Sequence, residues 1–355
     1  MADDAAELSI AGRAVGALHP PYVVAEMSGN HNGSLDRALE TVDAVADAGA
    51  DALKLQTYTA NTMTLELAER EFRIDDPNSL WFGRSLHELY EAAHTPWDWH
   101  AAIFERCQKR GLTSFSTPFD ATAVAFLESL QVPCYKIASF ENIDLPLIRL
   151  VAATGKPVII STGLATLDEI EEAVTAVRQA GCRELALLKC TSAYPANPAD
   201  SNLSAIPTLA RKFGCVVGLS DHTEGVASAI AGVALGACII EKHVTLRRSY
   251  GGVDSAFSLE PAELARLVKD ARSAWLSIGS VRFGPSKAEQ GSMQFRRSLY
   301  VVRDMRAGEA LSPENLRAIR PGLGLPPKHY DALLGRRLIR DVPKGTPMRW
   351  ELLEP

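Results

Sequence analysis

Eight short apolar runs, most of them followed by a helical pattern, recur over the first three quarters of the chain. They occupy residues 22–28, 52–56, 113–116, 134–138, 158–161, 185–190, 216–219 and 238–243. A strand, a helix and a second strand in that order form a parallel unit whose strands end at the same edge of the sheet. The repetition predicts an α/β fold, a closed (β/α)8 TIM barrel, with a doubly wound open sheet as the structural alternative.

The chain of 355 residues exceeds one typical domain, and its 46% hydrophobic content is enough for a large core. We expect an N-terminal hairpin at 1–20, the barrel at 21–279, a polar linker at 280–295 and a small loop-rich domain at 296–355. Within the last domain, residues 298–302 and 337–341 are β-like.

A long insertion, 57–96, follows the second strand. Such a connection lies on the C-terminal face of a barrel and predicts a lid or substrate wall.

Charge and cysteine usage narrow the class of protein. The net charge of −6 comes without long blocks of one sign, so neither a nucleic acid nor an anionic membrane is an expected partner. The first residues lack a basic segment followed by an apolar one, and no apolar run approaches a membrane span. The six cysteines form no CxxC pair and indicate small core residues in a reducing compartment. We therefore expect a cytoplasmic protein.

Two predicted neighbouring strands end in histidines, His222 in GLSDHT and His243 in IIEKH. One histidine at the end of an apolar strand is more often a core or capping residue than a metal ligand. Two at equivalent ends of parallel neighbours can meet, because both strands finish on the same edge. Two imidazoles with open coordination positions suit a divalent ion that acts as a Lewis acid.

Charged side chains are also expected inside the barrel. Alternation places Lys54 on the same strand face as Gln56, and an inward lysine needs a counter-charge or an anionic ligand. Lys136 has the same position in the fourth strand. Glu26 ends the otherwise apolar first strand and is either a general acid or base or the partner of a neighbouring lysine in a buried ion pair.

Hydroxyl side chains follow five consecutive strands. Each one alone could be a helix N-cap, but a ring of hydroxyls with two lysines favours phosphate and carboxylate oxygens as ligands. The sequence therefore predicts a small phosphorylated acid as substrate. The hydroxyl positions are Ser116 and Thr117, Ser139, Ser161 and Thr162, Thr191 and Ser192, and Ser220.

The segments AEMSGNHNG, DALKLQTYT, FSTPFD, YKIAS, STG, KCTSAYP, GLSDHT and EKHVTL, in this order and spacing, resemble the sialic acid synthase family. That family condenses phosphoenolpyruvate with an N-acylated amino sugar aldehyde. The C-terminal residues resemble its SAF, or antifreeze-protein-like, domain. The resemblance implies a transferase built from a TIM barrel and a SAF domain, with both substrates bound at the barrel.

The resemblance also implies a role for each matching position. His222 and His243 would hold a divalent ion, Mn²⁺ with Mg²⁺ or Co²⁺ as alternatives, and Glu26 would be a catalytic residue beside them. The phosphoenolpyruvate positions are Lys54, Thr117, Lys136, Ser139, Ser161, Ser192 and Ser220, although the family has Asn where Ser192 stands. The positions near the sugar are Gln56, Tyr194, Asp254 and Arg320, the last through a SAF domain that reaches across a domain-swapped homodimer.

Within the family, QTYTANTMTL, IASFENIDLPLI and GGVDSAFSLEP resemble the branch that makes pseudaminic acid. The implied acceptor is 2,4-diacetamido-2,4,6-trideoxy-L-altrose, for which the aromatic-bearing insertion could supply apolar and amide-complementary surface. The alternatives are an N-acetylneuraminate or legionaminate synthase, a metal-dependent aldolase that uses free pyruvate, and a non-catalytic carbohydrate- or ice-binding protein. The last gains nothing from inward lysines and strand-end histidines, which are costly groups to bury.

Overall fold

The computed structural model describes residues 6–77 and 79–355. The chain divides into two compact units, and the boundary in the sequence falls between Gly279 and Ser280. The first unit begins with an antiparallel hairpin of strands β1 (Glu7–Ile10) and β2 (Arg13–Gly16). Eight parallel strands then close into a barrel. They are β3 (Tyr22–Glu26), β4 (Ala52–Thr57), β5 (Thr113–Pro118), β6 (Tyr135–Ile137), β7 (Val158–Ser161), β8 (Leu185–Cys190), β9 (Val216–Asp221) and β10 (Ile239–His243).

Closure occurs between the last strand and the first, since β10 pairs with both β9 and β3. In this register Glu241 lies opposite Ser220 on one side, and His243 lies opposite Glu26 on the other. The TIM barrel predicted from the alternation is therefore confirmed, and the open-sheet alternative is wrong.

Helices surround the barrel and connect its strands. Most begin at a side chain that accepts a hydrogen bond from a free backbone N–H, as Ser34, Asp120 and Thr166 do. No helix in the described part of the chain is long and apolar enough to cross a membrane. The helices of this unit are α1 (Leu35–Asp47), α2 (Ala60–Met63), α3 (Leu86–Ala93), α4 (His100–Arg110), α5 (Ala121–Ser129), α6 (Leu145–Ala152), α7 (Leu167–Gln179), α8 (Ala205–Phe213), α9 (Ala227–Ala234) and α10 (Pro261–Ile278).

The interior of the barrel is apolar at its amino-terminal end. Tyr22, Phe115 and Ile159 pack there with Leu8 and Ile10 of the hairpin, and all five side chains are buried. The hairpin thus fills the end of the barrel at which the strands begin. Further along each strand the inward positions become polar, so the chemistry of the interior collects at the carboxyl ends.

A buried ion pair ties the last two strands together. Lys242 Nζ lies 3.1 Å from Asp221 Oδ2 and also donates to the carbonyl oxygen of Thr223. Alternation along β9 and β10 turns these two side chains away from the barrel interior. Their neighbours in sequence, His222 and His243, therefore face inward from strand ends that are fixed to each other.

The second unit has its own core. Strands β11 (Ser298–Val301) and β12 (Leu316–Ile319) pair in antiparallel fashion, and a short helix, α11 (Tyr330–Leu333), follows. Leu299, Leu338 and Met348 are fully buried in this core. The prediction of a strand at 337–341 is wrong, because Arg337 and Leu338 form only isolated bridges and the second strand lies earlier in the chain.

Candidate active site

Four buried charged side chains meet inside the carboxyl end of the barrel, and we call them the charged cluster: Glu26, Lys54, Lys136 and Glu241. Each comes from a different strand, and none is more than 6% exposed. Lys54 forms a direct ion pair with the Glu26 carboxylate, and its Nζ lies 3.8 Å from Glu241 Oε2. Lys136 Nζ lies 3.5 Å from Glu241 Oε1. Every member therefore has a partner of opposite charge.

Glu241 is the member that sequence reasoning missed. The segment IIEKH was interpreted only through its histidine, although Glu241 lies two residues before His243 and shares its inward face. That alternation was the signal that could have found it. Its presence changes the interpretation of the lysines, because their counter-charges are already within the protein, and the buried ion pair weighed for Glu26 is present.

Burial and the neighbouring lysines shift the pKa values of Glu26 and Glu241 in opposite directions. Burial raises the pKa of Glu26 above its ordinary value, although Lys54 acts against the shift. Burial acts in the same direction on Glu241, but Lys136 and Lys54 together lower the pKa of that carboxyl. Two carboxyl groups whose pKa values differ in this way can take different roles: one can exchange a proton while the other remains ionised.

Hydroxyls complete the sides of the cluster. Lys54 Nζ donates to Thr117 Oγ1 over 3.2 Å, and Ser220 Oγ donates to Glu241 Oε1 over 3.0 Å. The Ser161 hydroxyl is buried and has no hydrogen-bond partner among the described residues. An unused buried hydroxyl costs free energy unless a ligand satisfies it.

Two further predicted hydroxyls, Ser139 and Ser192, flank Gly163. Gly163 N donates to Ser139 Oγ over 3.2 Å. A Cβ atom at Gly163 would clash with Ser192 Oγ and would lie 2.6 Å from Ser139 Oγ. Glycine is needed here because two hydroxyls and a backbone N–H converge on one point, an arrangement suited to anionic oxygens.

His222 and His243 each lie two residues beyond an inward side chain of the cluster region, Ser220 on β9 and Glu241 on β10. The ring centroids of His222 and His243 are 5.3 Å apart, at an interplanar angle of 59°. His222 Nδ1 lies 2.9 Å from the carbonyl oxygen of Thr191, to which it donates in the neutral ring, and this leaves Nε2 with its lone pair. His243 Nδ1 is buried without a hydrogen-bond partner among the described residues.

This donor set fits a metal ion in an open site. Burial lowers the pKa of His243 well below its ordinary value, and the nearby His222 adds to the shift, so the ring is neutral and able to bind a metal. Within the described residues no group of three or more His, Cys, Asp and Glu side chains could hold a metal. Two imidazoles alone leave coordination positions for water and substrate, as catalytic sites require.

An acid and two aromatic rings surround the histidines. Asp254 Oδ2 accepts a hydrogen bond from Ser28 and lies 3.6 Å from His243 Nδ1. The Tyr194 ring is 4.4 Å from the His222 ring, between centroids. Phe257, which the sequence analysis did not single out, lies 5.1 Å from the His243 ring. We call the space between these side chains and the charged cluster the catalytic cup.

Two predicted sugar positions stand outside these contacts. Gln56 is half-buried on β4, opposite Thr117 in the register and on the same strand face as Lys54. Arg320 lies in the second unit, directly after β12, and its side chain is exposed.

The insertion at 57–96 contributes to the rim of the cup. Trp81 Nε1 donates to the carbonyl oxygen of Val253 over 2.9 Å, next to Asp254. The Trp81 ring also lies 5.9 Å from the Tyr194 ring, between centroids.

Glu141 is a further, half-buried acid at this end of the barrel. It closes the 3-10 turn Ser139–Glu141 after β6, and its Oε2 has no hydrogen-bond partner among the described residues. Burial raises the pKa of Glu141 to about 7, although Lys136 acts against the shift.

Comparison with known proteins places these residues in context. A model of the NeuB family matches residues 41–283, and a model of the SAF domain matches residues 296–354. The chain is 43% identical to the pseudaminic acid synthase of Helicobacter pylori, over 95% of this chain and 99% of that protein. It is 37% identical to the N,N'-diacetyllegionaminic acid synthase of Legionella pneumophila, over 94% of each.

A solved structure is similar as well. The N-acetylneuraminic acid (sialic acid) synthetase of Leptospira borgpetersenii superposes with a TM-score of 0.73 at 34% sequence identity. The superposition covers 82% of this chain and 96% of that one. The NeuB match contains Lys54, Lys136 and Glu241 of the charged cluster and both histidines, whereas Glu26 lies before its first residue.

Glu141 gives a testable dependence of stability on pH. Because its pKa in the folded chain is raised to about 7, its contribution to stability is present below the ordinary pKa of a glutamate and is lost as pH rises towards 7. Glu141→Gln cannot ionise, so it should unfold at the same denaturant concentration as the parent at pH 4.5. At pH 8 it should be more stable by about 2–3 kcal/mol. Equal stabilities at both pH values would contradict the assignment.

Proposed function

The chain belongs to the NeuB family, and we propose that it condenses phosphoenolpyruvate with 2,4-diacetamido-2,4,6-trideoxy-L-altrose and water to give pseudaminic acid and phosphate. The relative from Helicobacter pylori, which bears the name of that activity, supports the choice of product. The observation that carries the proposal is the convergence of two lysines, two glutamates and two histidines in one cup at the carboxyl end of the barrel.

The charged cluster is the proposed site for phosphoenolpyruvate. When Glu26 holds a proton and Glu241 is ionised, Lys54 and Lys136 leave the cluster with a positive charge, which attracts the phosphate and carboxylate. The unpartnered hydroxyl of Ser161 and the hydroxyls beside Gly163 would bind the remaining oxygens. Thr117 and Ser220 would hold Lys54 and Glu241 in position for this ligand.

The proposed cofactor is a divalent ion, Mn²⁺ with Mg²⁺ or Co²⁺ as alternatives, held by His222 and His243. When bound, such an ion polarises the aldehyde oxygen of the open-chain sugar and stabilises the negative charge that develops there. Thr191 would keep His222 in the tautomer that presents Nε2. Asp254, held by Ser28 beside His243, is placed to orient a water molecule or a sugar hydroxyl.

The protein's own groups then have defined tasks in the reaction. C3 of phosphoenolpyruvate attacks the aldehyde carbon, a water oxygen adds to C2, and the bond between C2 and the phosphate oxygen breaks. Lys54 and Lys136 neutralise the phosphate as it leaves. Glu26, with its raised pKa, is the group that would accept the proton of the attacking water or deliver one to the departing phosphate.

We also propose that the protein works as a domain-swapped homodimer in the cytoplasm. Residues 280–355 contain more basic than acidic side chains, whereas residues 1–279 have the opposite excess, and this charge difference favours contact of the second unit with a barrel. Arg320, exposed after β12, would then lie over the partner's cup. The cysteines are buried free thiols, as a reducing compartment favours.

An acceptor panel tests the proposed reaction. Phosphate release from phosphoenolpyruvate should be at least about tenfold more efficient, in kcat/KM, with the L-altrose derivative than with the epimeric diacetamido sugar that leads to legionaminate or with N-acetylmannosamine. Free pyruvate in place of phosphoenolpyruvate should give no product. A higher kcat/KM with either other sugar would assign the chain to that sugar instead.

Metal removal tests the role of the histidines. The chelated wild-type protein should lose turnover and regain it with Mn²⁺, whereas His222→Ala and His243→Ala should remain at least about 100-fold below wild type in kcat. The control His19→Ala removes a histidine that pairs with Glu7 on the hairpin side and should behave as wild type. Full activity of either cup variant without metal would refute the metal site.

Subunit mixing tests the dimer. Arg320→Ala and Lys54→Ala should each be inactive, yet exchange of their subunits should restore up to about a quarter of wild-type activity, because half of the dimers would carry one intact composite site. Arg340→Ala changes another exposed arginine of the second unit and should remain active alone. Exchange confirmed by mass spectrometry without any recovery of activity would rule out a contribution from the partner.

A further inference from the structure

A cavity of about 520 Å³ lies beside the catalytic cup, and none of the steps above uses it. Its volume is within the range of about 300–1,000 Å³ that is common for small-molecule sites. The walls come from the loop after β3, from the insertion at 57–96 and from the loop after β10. The lining residues used below are Asn32, Leu80, Trp81, Arg84 and Val253.

The cavity adjoins the cup through its walls. Val253 lines the cavity, and the next residue, Asp254, faces His243. Trp81 lies between the cavity and Tyr194, whose ring contacts that of His222. An open-chain six-carbon sugar spans roughly 6 Å from its first to its last carbon, given single bonds of about 1.5 Å. The contacts of Trp81 and Val253 thus place the cavity on the side of the cup at which Tyr194 and Asp254 lie.

The loops around the cavity are held in place by specific contacts. Trp81 Nε1 donates to the Val253 carbonyl oxygen, and Asn32 Nδ2 donates to the Gly251 carbonyl oxygen over 2.9 Å. A Cβ atom at Gly29, which also lines the cavity, would lie 2.6 Å from Val253 Cγ2, so the glycine permits close packing of the two loops. The cavity is thus formed before a ligand arrives.

The wall of the cavity combines apolar surface with polar groups in similar amounts. Leu80, Trp81 and Val253 present apolar surface, and Arg84 presents a guanidinium that can only donate hydrogen bonds. The lining contains no carboxylate, the usual acceptor for sugar hydroxyls. Such a wall offers packing surface for methyl groups together with a donor for an amide carbonyl oxygen.

We propose that this cavity is the subsite for the distal end of the acceptor, the C4 acetamido group and the C6 methyl group. Leu80, Trp81 and Val253 pack against the two methyl groups, and Arg84 donates to the acetamido carbonyl oxygen. This inference rests on the proposed function, and it makes the insertion the element that selects a diacetamido, 6-deoxy sugar. N-acetylmannosamine has hydroxyls at C4 and C6 and therefore lacks the acetamido carbonyl and the two methyl groups that make these contacts.

Steady-state kinetics of Leu80→Ala test the subsite, with phosphate release as the readout. The KM for the diacetamido sugar should rise about tenfold, as for a lost apolar contact in a pocket. The KM for phosphoenolpyruvate and kcat should change less than about twofold, because the charged cluster is untouched. N-acetylmannosamine, as a substrate or as a competitive inhibitor, should bind to variant and wild type equally within about twofold.

The matched control is Leu65→Ala, which truncates another exposed leucine of the insertion that does not line the cavity. It should match wild type with both sugars. Arg84→Gln should raise the KM for the diacetamido sugar alone. A diacetamido-sugar KM no higher in Leu80→Ala than in Leu65→Ala, or equal weakening of both sugars, would overturn the subsite. Wild-type protein that releases no phosphate with any acceptor would instead reject the proposed function.

Discussion

The pairing of two lysines with two glutamates inside the barrel is the constraint on which the site depends. A single buried charge costs several kcal/mol, so Lys54 and Lys136 can lie there only because Glu26 and Glu241 also point inward and pair with them. Apolar residues of similar size would usually stabilise a barrel interior at least as well. Retention of four such groups at the carboxyl end, above an apolar amino-terminal end, therefore indicates a function rather than a contribution to stability.

The barrel geometry separates the two halves of the proposed chemistry into layers. Two residues along a strand advance the chain by about 6.6 Å, so His243 lies one layer beyond Glu241, and His222 one layer beyond Ser220. The proposed anion site is thus deep, and the histidines are nearer the rim. The loops after β3 and β10 and the insertion surround that rim, where the acceptor would enter.

The sequence was sufficient for the barrel and for the inward lysines, because apolar runs and two-residue alternation are local patterns. It was not sufficient for Glu241, whose role depends on contacts with Lys54 and Lys136 across strands far apart in sequence. Phe257 ends a short 3-10 turn, Ser255–Phe257, after the last barrel strand, and a segment this short has no periodicity that points to its ring. In the second unit, β12 was missed because Arg317 interrupts its short apolar pattern.

Equilibrium binding of phosphoenolpyruvate, measured by titration calorimetry without the sugar, tests the charged cluster most directly. Wild-type protein and Lys109→Met, which changes an exposed lysine on α4, should bind with the same affinity. Lys54→Met and Lys136→Met should each bind at least about 30-fold more weakly, since each loses a charge-assisted contact of roughly 2 kcal/mol or more, and Lys54→Met also removes the ion-pair partner of Glu26. Undiminished binding by both variants would contradict the account, because the buried lysines would then have no part in holding the anion.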